Sequence, residues 1–215
     1  MVSRHVNWKF VGTLVVLPLL WLLMMLMGTG PLDRSIYQAL YAGDRRAWAA
    51  IAHFFTSLGE PTLLIPAAVA AWLWLWYAGR GRLGLALLAI AMIGRLLSES
   101  QKYWIARVRP DLEVHLVVVK TQSFPSGHAS SSMIFYLALA LALASGTRWA
   151  RAAAAAAICL SLLIGTSRVM LGVHWPSDVI GGWAFGLLWV LVTMRAAERL
   201  LRAGPPNAQA GRDDY

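Results

Sequence analysis

Apolar residues run in six long stretches, at about residues 9–28, 61–78, 83–102, 127–145, 152–171 and 178–200, and the charge lies mostly between them. A helix needs roughly 20 apolar residues to cross a bilayer, and every stretch is near that length. The pattern predicts an all-α fold, a six-transmembrane-helix bundle. Between the first and second stretches it changes. After a break at Gly28 to Pro31, residues 33–58 are less apolar, with Trp48, Ile51, Phe55 and Leu58 at helical spacing. That spacing predicts one or two amphipathic helices along the outer interface. They read as an interfacial linker in preference to a substrate-gating lid, with His53 an interfacial side chain.

Composition supports a membrane protein: of 215 residues, 59% are hydrophobic and 13% charged, and the mean hydropathy is +0.59, too apolar for an ordinary soluble domain. Residues 1–202 read as one six-span domain, and 203–215, AGPPNAQAGRDDY, as a disordered cytoplasmic tail. The net charge of +9 suggests nucleic acid, but the basic residues follow the membrane pattern instead. Arg4 and Lys9 precede the first stretch, Arg80 and Arg82 join the second to the third, Arg148 and Arg151 join the fourth to the fifth, and Arg195, Arg199, Arg202 and Arg212 follow the last. The positive-inside rule puts both termini and these loops in the cytoplasm. Trp72, Trp74, Trp76 and Tyr77, with Trp8, Trp104, Trp149 and Trp175 near span ends, read as interfacial anchors, so no nucleic-acid partner is expected. A cleaved signal peptide is disfavoured because the first run is long and no A-x-A site follows it. The single cysteine, Cys159, excludes an intrachain disulfide and reads as a small core residue.

The third stretch is less ordinary. Arg95, Glu99 and Lys102 are spaced by four and three, on one helix face, which predicts an Arg95–Glu99 ion pair turned to the bundle interior. If the helix runs on to Pro110, Arg109 projects from the face of Lys102 about 10 Å further along. Residues 111–124 follow as a solvated loop in which Asp111, Glu113, His115 and Lys120 show no ligand spacing. Pro125-Ser126-Gly127-His128 then leads into the fourth stretch. With Ser126 as N-cap, the amides of Gly127 and His128 are free donors at a positive helix end, suited to an anion.

Between the last two stretches stands SRVMLGVHWPSD, residues 167–178. Gly172 can cap the preceding helix and Pro176 can open the next, so His174 falls at the break and Asp178 in a first turn. That carboxylate can accept a proton from one ring nitrogen and leave the lone pair of the other free to attack. Arg168, one turn before Gly172, faces the same cavity. Three fixed cations, a helix N-terminus and two histidines suit a tetrahedral dianion.

At these residues the chain resembles the type 2 phosphatidic acid phosphatase superfamily, membrane lipid phosphatases related at their active sites to vanadium haloperoxidases. The family's first motif is matched by Lys102, Arg109 and Pro110, its second by Pro125 to His128, and its third by Ser167-Arg168, His174 and Asp178. Each position has a chance background of roughly one in twenty, which makes coincidence an ineffective explanation. The resemblance implies His174 as a nucleophile forming a phosphohistidine, with Asp178 orienting it. It implies His128 as the acid that protonates the leaving oxygen and then the base that activates water. Lys102, Arg109, Ser126, Gly127 and Arg168 would hold the phosphoryl oxygens. No metal or other cofactor is expected, since the chain supplies the cations and no carboxylate cluster suits Mg²⁺.

The expectation is a multi-pass bacterial inner-membrane phosphatase, its active site on the periplasmic face, acting on a lipid phosphate or pyrophosphate. Within the family a short chain places undecaprenyl pyrophosphate first, then phosphatidylglycerophosphate and phosphatidic acid. A lipid phosphotransferase using the same intermediate is one alternative, and a non-catalytic lipid-binding or transport protein another. A haloperoxidase is disfavoured because those enzymes are soluble.

Overall fold

A computed structural model describes residues 8–203 and folds them into eight helices, with no strand among the described residues. They are α1 (Trp8–Met27), α2 (Pro31–Leu40), α3 (Arg46–Ser57), α4 (Pro61–Tyr77), α5 (Gly81–Ile105), α6 (Gly127–Ala144), α7 (Ala150–Met170) and α8 (Pro176–Ala203). Six stretches of helix are long and apolar enough to cross a membrane, α3 and α4 together supplying one. The tail expected from residue 203 onward lies outside the described residues except for Ala203.

Local chemistry sets the boundaries. Pro31, Pro61 and Pro176 each open a helix, where a missing N–H costs nothing and φ is already helical. Gly79, Gly146 and Gly172 take positive φ just beyond helix ends, at +73°, +77° and +79°. Two amphipathic helices, α2 and α3, fill residues 33–58. On α3 the apolar stripe faces outward: Trp48 and Ile51 are exposed, while Ala52 and Thr56 turn in. A helix at a membrane has an apolar surrounding as well as an apolar core, so its hydrophobic face need not be its protein face.

At the centre stands α6, packed by α5, α7 and α8, with Leu75, Leu87, Ile90, Met133, Ile134, Leu137 and Val190 in one buried cluster. Small residues let α6 and α8 approach closely. A Cβ at Gly182 would sit 2.8 Å from the Ser126 carbonyl oxygen, and one at Gly186 2.9 Å from that of Ser130. Indole donors tie the other contacts: Trp183 Nε1 donates to Ser161 O at 3.0 Å and Trp189 Nε1 to Ile90 O at 2.9 Å. Two expectations need correction. Cys159 is exposed on the outer surface of α7 and not in the core. Trp175 is only 4% exposed and donates to Val108 O at 3.1 Å, so it is packed inside and does not anchor at the interface.

The helices alternate direction, so the C-terminal ends of α5 and α7 and the N-terminal ends of α4, α6 and α8 share one end of the bundle. The basic turns at 80–82 and 148–151 lie at the other. All three motif segments therefore converge.

Candidate active site

One cavity of about 200 Å³ opens where these ends meet. Lys102, Arg109, Gly127, His128, Arg168 and His174 line it, joined by Glu60, Arg95, Glu99 and Lys120. Room for several waters, at about 30 Å³ each in the liquid, is room for one small anion held on every side. Of the sequence-predicted set, Ser126 and Asp178 are not in the lining. Both are fully buried behind it.

Arg109 reaches the cavity by a route other than the expected one. Helix α5 stops at Ile105, and Ala106 takes a left-handed φ of +51° with its N–H on Lys102 O at 2.9 Å. An unbroken helix would carry Arg109 about 10 Å past Lys102, away from the other motifs. The reversal brings it back instead. Arg109 Nε donates to Thr121 O at 2.7 Å and Nη1 to Val173 O at 2.5 Å, while Lys102 Nζ donates to Thr121 Oγ1 at 3.2 Å. Residues 111–124 are thus part of the site: Val118, Val119 and Thr121 stand in the cavity wall.

His174 lies between Gly172 and Pro176 as expected, 2% exposed. Its Nε2 is 3.2 Å from Arg109 Nη1, which can only donate, so Nε2 is the lone-pair nitrogen and Nδ1 carries the proton. Burial first, then the neighbouring Arg109, Arg168, Lys102 and His128, hold its pKa well below the ordinary 6.5. The ring stays neutral. Nδ1 faces Asp178 Oδ2 and Ser123 Oγ, each at 3.4 Å, a looser contact than a fixed pair.

The carboxylate of Asp178 is held mainly by others. Arg107 Nη1 donates to Oδ1 at 2.8 Å, the Trp175 amide to Oδ2 at 2.9 Å, and Ser123 Oγ also donates to Oδ2. Arg107 further donates to Met24 O at 2.9 Å and Met25 O at 2.5 Å, and its guanidinium lies 4.4 Å from the Phe124 ring centroid. From α2, buried Asp33 accepts the Ser177 amide at 2.8 Å and the Ser177 hydroxyl at 2.6 Å. The linker reading of residues 33–58 is therefore too small: Asp33 braces the start of α8, and Thr56 Oγ1 accepts from Arg168 Nη1 at 2.5 Å.

Two more expectations change. Glu99 pairs with Lys102, at 3.1 Å, and not with Arg95, whose guanidinium reaches Ser131 Oγ at 3.5 Å. Ser126 occupies the N-cap position of α6 without a side-chain capping bond, and its buried hydroxyl has no hydrogen-bond partner. Its backbone N–H donates to Asp178 O at 3.0 Å, which locks the second motif to the third.

Gly127 has no space for a branched side chain. A Cβ there would meet Glu99 Oε1 at 2.6 Å and Lys102 Nζ at 3.4 Å. The flexible end of Glu99 can yield to one methyl, so Gly127→Ala is expected to be mild. Gly127→Val would fill the cradle, and kcat/KM is expected to fall about a hundredfold with the melting temperature little changed.

Among the described residues, no three of His, Cys, Asp and Glu gather where they could hold a metal ion.

A lipid-facing six-span bundle carrying this cation-lined cavity belongs to a known class. Residues 82–202 match the PAP2 superfamily, and the chain belongs to that superfamily of membrane lipid phosphatases, hydrolases that act on lipid phosphates. It is 33% identical to phosphatidylglycerophosphatase B of Bacillus subtilis over 151 residues, 68% of this chain and 74% of the relative. It is 33% identical to an undecaprenyl-diphosphatase of Sulfolobus acidocaldarius over 109 residues, 48% of this chain and 50% of that one. The crystal structure of a transmembrane PAP2-type phosphatidylglycerolphosphate phosphatase from Bacillus subtilis superposes with a TM-score of 0.79 at 29% identity, covering 87% of this chain and 97% of the other.

Proposed function

We propose that the six-span region, residues 1–202, is a single phosphatase domain that removes a phosphoryl group from a lipid at the outer face of the bacterial inner membrane, through a phosphohistidine on His174. The observation that carries this reading is the neutral His174, its Nε2 lone pair beside Arg109 in a cavity also lined by Lys102, Arg168 and His128. An incoming phosphoryl group takes over Arg109, and Nε2 attacks phosphorus. The N–P bond forms as the P–O bond to the lipid breaks, and His128 gives its proton to the leaving oxygen. His128 then takes a proton from water, which attacks phosphorus and releases His174 and phosphate. Lys102, Arg109, Arg168 and the Gly127 amide offset charge on the three equatorial oxygens. Asp178 stabilises the cationic ring, as a carboxylate behind a catalytic histidine does. These fixed cations do the work that a divalent ion does elsewhere.

Phosphatidylglycerophosphate is the substrate we place first, ahead of the undecaprenyl pyrophosphate that sequence alone favours, because the phosphatidylglycerophosphatase relative aligns with more of this chain. Undecaprenyl pyrophosphate is the second reading. Arg95 and Lys120 extend the cationic lining beyond the three motif cations, as a second phosphoryl group would require. The outer-face placement is supported by Arg80, Arg82, Arg148 and Arg151 at the opposite end of the bundle.

Purified protein is expected to release phosphate from phosphatidylglycerophosphate faster than from undecaprenyl pyrophosphate or phosphatidic acid, in EDTA, and to be inhibited by vanadate. A requirement for Mg²⁺ would overturn the mechanism. A phosphorylated acceptor in place of free phosphate would identify a phosphotransferase, and binding without turnover a lipid carrier.

A further inference from the structure

Glu60 ends the turn between α3 and α4, outside the family-matched residues 82–202 and outside all three motifs. It is the N-cap residue of α4, yet its side chain makes no capping bond. A carboxylate in that position ordinarily accepts an amide N–H of its own first turn. This one turns away, and its Oε1 lies 3.1 Å from Nε2 of His128, an ion-pair contact whose angles fall short of a hydrogen bond and which is the partner that this buried nitrogen has. The turn is built to hold it there. Tyr136 Oη donates to Leu58 O at 2.8 Å, and Gly59 N to Thr56 O at 2.9 Å. Gly59 also lies close against the imidazole: a Cβ at that position would come to 3.0 Å from His128 Cδ2 and 2.5 Å from Ile164 Cγ2.

We propose that Glu60 is a positioning residue for His128, fixing the ring and supplying the negative charge against which it carries the proton delivered to the leaving oxygen. The need for such a partner follows from the surroundings. Besides Glu60, the charged and titratable groups that share the cavity with His128 are Arg95, Glu99 and Lys102 from α5, Arg168 from α7, and Arg109, Lys120 and His174 from the loops. Glu99 is already paired with Lys102. A further positive charge among those cations requires a counter-charge, and Glu60 is the carboxylate at contact distance. An imidazolium bears a proton on each nitrogen, so one can face Glu60 while the other passes to substrate. After the alcohol leaves, the same carboxylate offsets the charge that His128 takes on when it deprotonates water.

The proposal rests on the phosphohistidine reading, and one experiment separates the two. Steady-state turnover and first-turnover release of the leaving group are compared for an alkyl phosphate and an aryl phosphate carrying the same dodecyl chain, in wild type, Glu60→Gln, Glu60→Ala, His128→Ala, the double variant Glu60→Ala/His128→Ala and His174→Ala. Both Glu60 variants are expected to lower kcat on the alkyl phosphate at least about tenfold, a part of the roughly hundredfold or more that general acid help contributes. KM should change little, and first-turnover release of the phenol from the aryl phosphate, a leaving group that needs no proton, should be nearly unaffected. The double variant should be no slower than His128→Ala. Equal losses in first-turnover release from both substrates, further loss in the His128→Ala background, or unchanged kcat would each overturn the role of Glu60. Full activity in His174→Ala would instead overturn the phosphohistidine reading. Glu60 is 41% exposed at its side chain, and an unchanged melting temperature in each variant is the expected control.

Discussion

His174→Ala is expected to lower phosphate release by roughly five to six orders of magnitude, the scale on which an enzyme loses rate when its covalent nucleophile is deleted. No other side chain in the cavity can take over. His128 is the remaining imidazole, and its Nε2 is turned to Glu60; Lys102 is paired with Glu99, and the arginines are permanently charged. The fold should survive the change. The break between α7 and α8 is set by Gly172 at a φ of +79° and by Pro176 at the first helical position, and Asp178 keeps its Arg107 partner. Loss of activity is therefore expected with a melting temperature close to that of wild type. Rapid acid quenching with a ³²P-labelled lipid should trap an acid-labile phosphoenzyme in wild type and none in His174→Ala. His128→Ala should still form it with an aryl leaving group. Phosphate release by His174→Ala at the wild-type rate would show that the lone pair beside Arg109 is not the one that attacks.

The spans were legible because a bilayer imposes one length on every crossing, and no tertiary contact alters that requirement. The convergence of the three motif segments was legible for a related reason. Alternating spans assign each interhelical segment to one end of the bundle, so Lys102, Gly127, Arg168 and His174 had to share an end. Routing within a loop has no such constraint. The reversal at Ala106 depends on one residue in a left-handed conformation, which alanine does not announce as glycine would. The carboxylates were mispaired for the same kind of reason. Glu99 is equally close in helical spacing to Arg95 and to Lys102, and tertiary packing chose the second.

Glu60 carries no sign of its role in the sequence, because an acidic residue before a proline is what a helix start looks like. Arg107 was overlooked because nothing in its spacing separates it from its neighbours. Its partner Asp178 is 71 residues away in the chain. Ser123 and Thr121 were absorbed into a polar loop, although a serine and a threonine so close to a predicted phosphate site are the one signal that could have marked them. Cys159 lies on the surface and not in the core because an apolar residue in a membrane protein has two apolar environments to choose from.

Arg107→Met is expected to have the second largest effect, on stability as well as on rate. Asp178 is fully buried, and Arg107 is the cation paired with it at 2.8 Å. Deleting one partner of a buried pair leaves the other charge uncompensated, at a cost of about 3–5 kcal/mol. Methionine also abandons the carbonyls of Met24 and Met25, through which Arg107 fastens the end of α1 to the site. The melting temperature of Arg107→Met in detergent should therefore fall sharply, and phosphate release with it. Arg107→Met/Asp178→Asn separates the two losses. Removing the orphaned carboxylate should recover part of the stability, because a neutral amide can be buried with the Ser123 hydroxyl and Trp175 N–H bonds still offered to it. Activity should stay low, because an amide cannot offset the positive ring that His174 becomes when its Nε2 binds phosphorus. If Arg107→Met melted with wild type, Asp178 would have to be balanced by some group other than the arginine that touches it.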